Sequence, residues 1–369
     1  MRKVTWALAL CLATAGCASE GEDEVQDITL EQGKDDGQAA GTLRTIASAR
    51  NSLEGPSDLA FNPRVPDDLW VVNRDDDSTV IIHGASRNTG RRTEYRHDAY
   101  ATHFMANPMA IDFGADATTF GVPGTMGTCG ESRNTYGHTA PHNDFMGPVL
   151  WSTDLRIFAR QDPYGLGSHI DMMHETPLCM GLAHEKANVF WAVGGLEASI
   201  FRYDFMRDHG IGQDDHADGA VARYAKGQLR RVEGVPMHAV FDAGFVYVAD
   251  SGNSRIVKLD TRSGRPGGQL SPPEPLRGAV EMVGATLTEV VPARGGLLDT
   301  PAGLALQNGQ LWVSDNATGR ISVFDLTGKR LRYYETRLRN ALGGLTFGPD
   351  GRLYVTDLVG SRVLRLEPR

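Results

Sequence analysis

The sequence predicts an all-β repeat protein, a ring of short sheets closed about a central channel, and three observations carry that expectation. A strand–turn–strand unit recurs near the C-terminus: FVYVAD (245–250) leads to RIVKLD (255–260), LWVSD (311–315) to RISVFD (320–325), and LYVTD (353–357) to RVLRL (362–366). In every copy an Asp and an Arg stand five positions apart, at Asp250 and Arg255, Asp315 and Arg320, Asp357 and Arg362. A fixed turn therefore joins two strands rich in aromatic and β-branched residues. Ahead of each unit runs another short apolar strand opened by small residues: HAVF (238–241), AGLAL (302–306) and GGLTF (343–347). Weaker versions stand upstream at SDLAF (57–61), MAIDF (109–113) and MGLAH (180–184), making six. Small residues belong where innermost strands converge and large side chains would collide. Finally, 369 residues with 41% hydrophobic and 22% charged content can bury a large core, which excludes a disordered chain.

The elements can be taken in chain order. Arg2 and Lys3 precede an apolar run (4–15) too short to span a bilayer, so residues 1–16 read as an export signal. Thr14-Ala15-Gly16-Cys17 resembles the lipobox of bacterial lipoproteins, with Thr14 where that family prefers leucine. The resemblance implies lipidation at Cys17 and a membrane anchor of lipid alone; ordinary secretion is the alternative. Ala18 is not the aspartate that signals inner-membrane retention, which points to the outer membrane of the cell envelope. Residues 17–41 hold eight acidic residues, one lysine and almost no aliphatic content, and read as a flexible acidic tether. The net charge of −9 splits accordingly: the signal carries +2 and the tether −7, which leaves −4 for residues 42–369. With no phosphate-neutralising excess and no basic stripe interleaved with aromatics, nucleic-acid binding is excluded.

The repeats from residue 42 onward resemble the NHL repeat family, which has a P-x-G-[IVL]-A strand, then [WY]-V-[AST]-D, then R-[IV]. Thr300-Pro301-Ala302-Gly303-Leu304-Ala305 and the residues after it match closely, and LWVVN (69–73) fairly. The second and third copies depart most. The resemblance implies a six-bladed β-propeller of four-stranded antiparallel blades over residues 42–369. The last copy offers only three strands before Arg369, and the extended segment 42–46 is placed to supply the fourth, which would join both ends of the ring in one blade and hide its edges.

Spacing between successive inner strands is uneven, with the extra length in blades two to four, and insertions in a repeat fold land in loops that often bind. His103 and His174 occupy equivalent places, each separated by five residues from a Met and a small residue (Met109-Ala110 and Met180-Gly181), and His238 heads the inner strand of blade four. With His169 and Asp171 they form an expected metal set at the channel mouth. Imidazoles and a carboxylate suit zinc, while Met109, Met180 and a reduced Cys179 would tilt the site toward copper. The alternative is core-filling methionines and histidines that satisfy loop carbonyls.

The long connection 128–148 should join the second and third strands of blade two over the same face. Once Cys11 leaves with the signal and Cys17 carries lipid, Cys129 and Cys179 remain as a pair in an oxidising compartment, read as one disulfide; two separately buried thiols are the alternative. Glu131 and Tyr136 on this connection are the expected proton-handling groups. A second segment, Asp214-x-His216-x-Asp218-Gly219, approximates a calcium loop. His216 replaces an oxygen ligand and Ala225 stands at position twelve, so it is no EF-hand, and an acidic solvated turn is the other reading. As a link between strands three and four of blade three it should lie on the opposite face from the histidines.

No P-loop, dinucleotide fingerprint, nucleophile elbow or HExxH is present. The expected function is a cell-envelope lipoprotein whose top-face loops bind a small ligand or an envelope protein. The alternative, by likeness to propeller lyases and lactonase-type hydrolases, is a metal-dependent enzyme with zinc on His103, His174 and His238.

Overall fold

The computed structural model describes residues 27–33, 37–133, 142–272 and 274–369, and the statements below concern those residues. Six sheets follow one another along the chain, each with its strands ordered from the channel outward. Blade one comprises Pro56–Phe61, Asp68–Asn73, Ser78–His83 and Arg92–Arg96; blade two comprises Pro108–Phe113, Thr125–Gly130, Val149–Ser152 and His169–Met172. The expected six-bladed propeller of four-stranded antiparallel blades is the observed fold.

Each of six apolar clusters fills one gap between neighbouring blades. Trp70 and Ile81 of blade one, for instance, meet Phe113 and Trp151 of blade two, while Trp312 and Ile321 of blade five meet Leu345 and Val355 of blade six. Both faces of every sheet are thus buried, which is why the strands do not alternate cleanly between apolar and polar residues. The inner strands need small residues for a steric reason. A Cβ at Gly181 would lie 2.0 Å from the carbonyl oxygen of Met237, and one at Gly344 would lie 2.3 Å from Asp58 Oδ1. The repeated Asp and Arg face each other across the turn in all three copies. Arg255 Nε donates to Asp250 at 2.8 Å and Arg362 Nε to Asp357 at 2.9 Å, whereas Arg320 turns outward to Glu335.

The ring closes as expected. Gly41–Ala47 pairs antiparallel with Arg362–Pro368, with Leu43 opposite Leu366, and completes blade six. A correction concerns the segment before it. Ile28–Leu30 adds a fifth strand to blade six, and Leu30 is buried, so part of the acidic stretch belongs to the folded ring. Two aliphatic residues in a three-residue strand are enough once a sheet edge is there to receive them.

The largest departure from a plain propeller lies in blade four. Its third strand, Arg255–Asp260, and fourth strand, Leu287–Val291, are separated by a hairpin of Arg265–Gln269 and Gly278–Val283. That hairpin leaves its own blade: Gly278–Val283 pairs in parallel with Ala220–Tyr224, the outer strand of blade three, which becomes a six-stranded sheet. Among the described residues, no helix is long and apolar enough to cross a membrane.

Candidate functional site

The outer strand of blade two, His169–Met172, and the connection that follows it form the spine of the site. A short helix, Ala101–Phe104, in the connection from blade one to blade two presents His103 and Phe104 beside it. The long loop between the third and fourth strands of blade three does not stay at its own end of the ring. It climbs the outer edge of blade two, where the N–H of His209 donates to Ile170 O at 3.0 Å and that of Gly212 to His169 O at 2.7 Å. Asp208 anchors the climb by accepting from Thr119 N at 2.7 Å and Thr119 Oγ1 at 2.7 Å. The stray hairpin of blade four supplies the last wall, and its turn carries Glu274.

These four elements surround a cavity of about 400 Å3 with aromatic walls from Tyr100, Phe104 and Phe145 and a floor of histidines and carboxylates. The N–H and Nδ1 of His174 each lie 2.8 Å from the Glu274 carboxylate, and the Phe145 ring stacks on His174 at 3.5 Å between centroids. His216 Nδ1 is 3.1 Å from Asp171 Oδ1. His169 Nδ1 meets Leu166 O at 2.9 Å while its ring stacks on Phe104 at 3.7 Å. The donor atoms of His174, His216 and Glu274 lie within 4.8 Å of one another, as do those of Asp171, His209 and His216.

Burial sets the charge state of the floor. It pulls the imidazoles of His103 and His209 down to about 4 and that of His169 to about 3, and it also lowers His174 and His216. All five rings are therefore neutral near pH 7 and keep a lone pair for a metal. Burial pushes Asp171 well above the usual carboxylate range, and the negative charges of Asp218 and Asp208 add to the rise. Burial opposes ionisation of Glu274 too, but its hydrogen bond from His174 prevails and holds its carboxyl below the ordinary value.

The expected residues are only partly brought together. His103, His169 and His174 line the cavity, with Asp171 buried behind it against His216, at the outer edge of blade two rather than at the channel mouth. His238 does not join them: it lies inside the channel, where its Nε2 pairs with Asp58. The expectation of two separate sites on opposite faces is corrected as well, because the climbing loop brings His216 against Asp171. Asp214 lines the cavity, whereas Asp218 accepts from the N–H of Arg207 at 3.3 Å. Neither enters the converging donor sets, which are His-rich rather than the all-oxygen cage calcium prefers.

Glu131 stands elsewhere, outside the cavity's lining. Its carboxylate is clamped by Arg231, by Arg74 at 3.4 Å and by the N–H of Gly234 at 2.9 Å, so both oxygens are already engaged. Cys129 and Cys179 form the expected disulfide, which ties the second strand of blade two to the inner strand of blade three. Tyr136 and Cys17 lie outside the described residues. Glu274 and His209 were not singled out from the sequence. A second histidine in the segment holding His216 was a signal for His209; Glu274 sits in a Pro-rich turn with nothing local to link it to His174.

The NHL repeat family matches residues 298–324, which cover the first three strands of blade five. No curated protein matches the chain. Among solved structures, an auxiliary nutrient binding protein from Bacteroides ovatus is 13% identical with a TM-score of 0.55, over 90% of this chain and 78% of that one. The calcium-binding protein regucalcin from Agrobacterium tumefaciens is 14% identical with a TM-score of 0.53, over 90% and 96%. A catalytically inactive virginiamycin B lyase from Staphylococcus aureus, solved with quinupristin, is 12% identical with a TM-score of 0.50, over 88% of each chain. At such identities the likeness shows the fold, and the fold hosts binding proteins and enzymes alike.

Proposed function

We propose that this six-bladed propeller with its NHL repeat is a ligand-binding module of the bacterial cell envelope, and that its binding site is the cavity between blades two and three with a divalent transition ion, zinc first, at the floor. One observation carries the reading: His174, His216 and Glu274 converge within 4.8 Å beneath an aromatic-walled cavity of about 400 Å3. Neutral imidazoles and a carboxylate are zinc ligands, and three protein ligands leave a fourth position open for a donor atom of the bound molecule. The volume fits a small molecule, and the rings of Phe104 and Phe145 favour one with a flat apolar part. Export and lipidation at Cys17 would place the module at the outer membrane.

Metal analysis of protein purified without chelators tests the site: zinc in the wild type and its loss in His174→Ala support it, and no transition metal in either overturns it. Cys17→Ser tests the anchor by release from the membrane fraction; unchanged retention counts against it.

The open coordination position favours a second reading, a zinc-dependent lyase or hydrolase in which the ion polarises a substrate oxygen or acidifies a bound water. Glu131 has no part in it, lying outside the cavity's lining with both carboxylate oxygens paired. Turnover of lactone or cyclic ester substrates by the zinc-loaded wild type, absent from His174→Ala, would select this reading over simple binding.

A further inference from the structure

The cavity floor carries more donors than one ion can use. Zinc–nitrogen and zinc–oxygen bonds are about 2.0–2.2 Å, so two ligands of a tetrahedral ion lie roughly 3.4 Å apart. Asp171, His209 and His216 make one set, and His174, His216 and Glu274 make another. Within the first set, His209 Nε2 lies 3.8 Å from Asp171 Oδ1. That is too long for a hydrogen bond and close to the separation of two ligands on one ion. The same oxygen is 3.1 Å from His216 Nδ1. His209 Nε2 is buried and has no hydrogen-bond partner, although its side chain is only 5% exposed. A buried, unpaired nitrogen beside a buried carboxyl is an unfavourable arrangement for the empty protein and a ready one for a cation.

We infer that the floor holds two divalent transition ions rather than one, joined by His216. Its Nδ1, already turned to Asp171, serves the ion shared with Asp171 and His209, and its Nε2 serves the ion shared with His174 and Glu274. This rests on the proposal that the cavity binds metal, and adds a second ion to it. Imidazole alone among these side chains has two donor atoms on one rigid ring. Bridging requires His216 to give up its single N–H proton, which passes to solvent together with any proton shared in the Asp171–His216 contact; no electrons are transferred. The two sets come from different parts of the chain. Asp171 lies in blade two, His209 and His216 on the climbing loop of blade three, His174 in the connection between those blades and Glu274 on the hairpin from blade four, so the ion pair would bind all four segments together.

Titration of metal-depleted full-length protein with Zn2+, followed by calorimetry and by elemental analysis after gel filtration, tests the inference. The wild type should take up two equivalents, His209→Ala one, and His216→Gln neither tightly. Thermal melts confirm folding of each variant, and His209→Gln replaces His209→Ala should the latter fail to fold. A wild type that saturates at one equivalent, unchanged in the His209 variants, overturns the second ion while leaving the single-ion site intact. Two equivalents retained by His216→Gln overturn the bridge. No uptake by the wild type overturns both this inference and the metal reading on which it stands.

Discussion

Asp58 and His238 pair across the central channel, linking the inner strand of blade one to the start of blade four, its counterpart across the ring. Asp58 Oδ2 also accepts the N–H of Ile111 at 2.9 Å, and His238 Nδ1 donates to Leu304 O at 3.3 Å, so the pair touches four blades. Burial alone would lower the pKa of His238, but the charge and hydrogen bond of Asp58 override it and raise the pKa above 6.5. A histidine whose pKa is raised on folding stabilises the protein fully below its unfolded value and loses that contribution as pH climbs through the folded value. The wild type should therefore lose stability relative to His238→Gln as pH rises above 6.5, measured by urea midpoints from pH 6 to 9. Asp58→Ala, which strands the imidazolium, should cost about 3–5 kcal/mol near neutrality.

The disulfide closes a loop of 50 residues that includes the long connection of blade two. Replacing Cys129 and Cys179 together by Ala should destabilise the protein by about 2–4 kcal/mol, seen as a lower denaturant midpoint. Both sulfurs are buried in the packing between blades two and three. A reductant should therefore act on the native wild type only slowly.

Glu131→Gln removes the charge that Arg74 and Arg231 share. The expected result is a loss of about 1–3 kcal/mol in unfolding free energy with metal content unchanged. A fall in zinc stoichiometry with unaltered stability would restore a role for Glu131 at the metal site.

The segment that completes blade six is built on two buried leucines. Leu43→Ala should cost about 2–5 kcal/mol and Leu30→Ala a value at the lower end of that range, since its strand is three residues long and lies at the sheet's outer edge. Chemical denaturation of the two variants checks the order.

Blades four to six were legible because each repeats a local pattern in which Asp and Arg five apart force one turn, and Gly181 or Gly344 at an inner strand marks a contact only hydrogen could fill. The histidines were legible as residue types but not in their grouping. His103 and His174 stand in connections leading away from outer strands, whereas His238 directly precedes an inner strand, so its place inside the channel follows from that adjacency. Glu274 was hidden for a different reason. It reaches His174 only because a blade-four hairpin pairs in parallel with blade three, and the sequence of that hairpin records an extra length without its destination. The climb of the loop bearing His209 and His216 is likewise fixed by contacts with Thr119 and Ile170, about 90 and 40 residues away in sequence.

The opening and closing strands of the ring run side by side in blade six, and the N–H of Arg369 donates to Ala40 O at 3.2 Å. The ring therefore has a seam but no structurally privileged starting point. A circular permutant that fuses Arg369 to Gly41 through a few glycines and is cut instead at the turn near Gly351 should assemble the same six sheets without the outermost strand Ile28–Leu30 of blade six, with the cavity between blades two and three far from both the fusion and the cut.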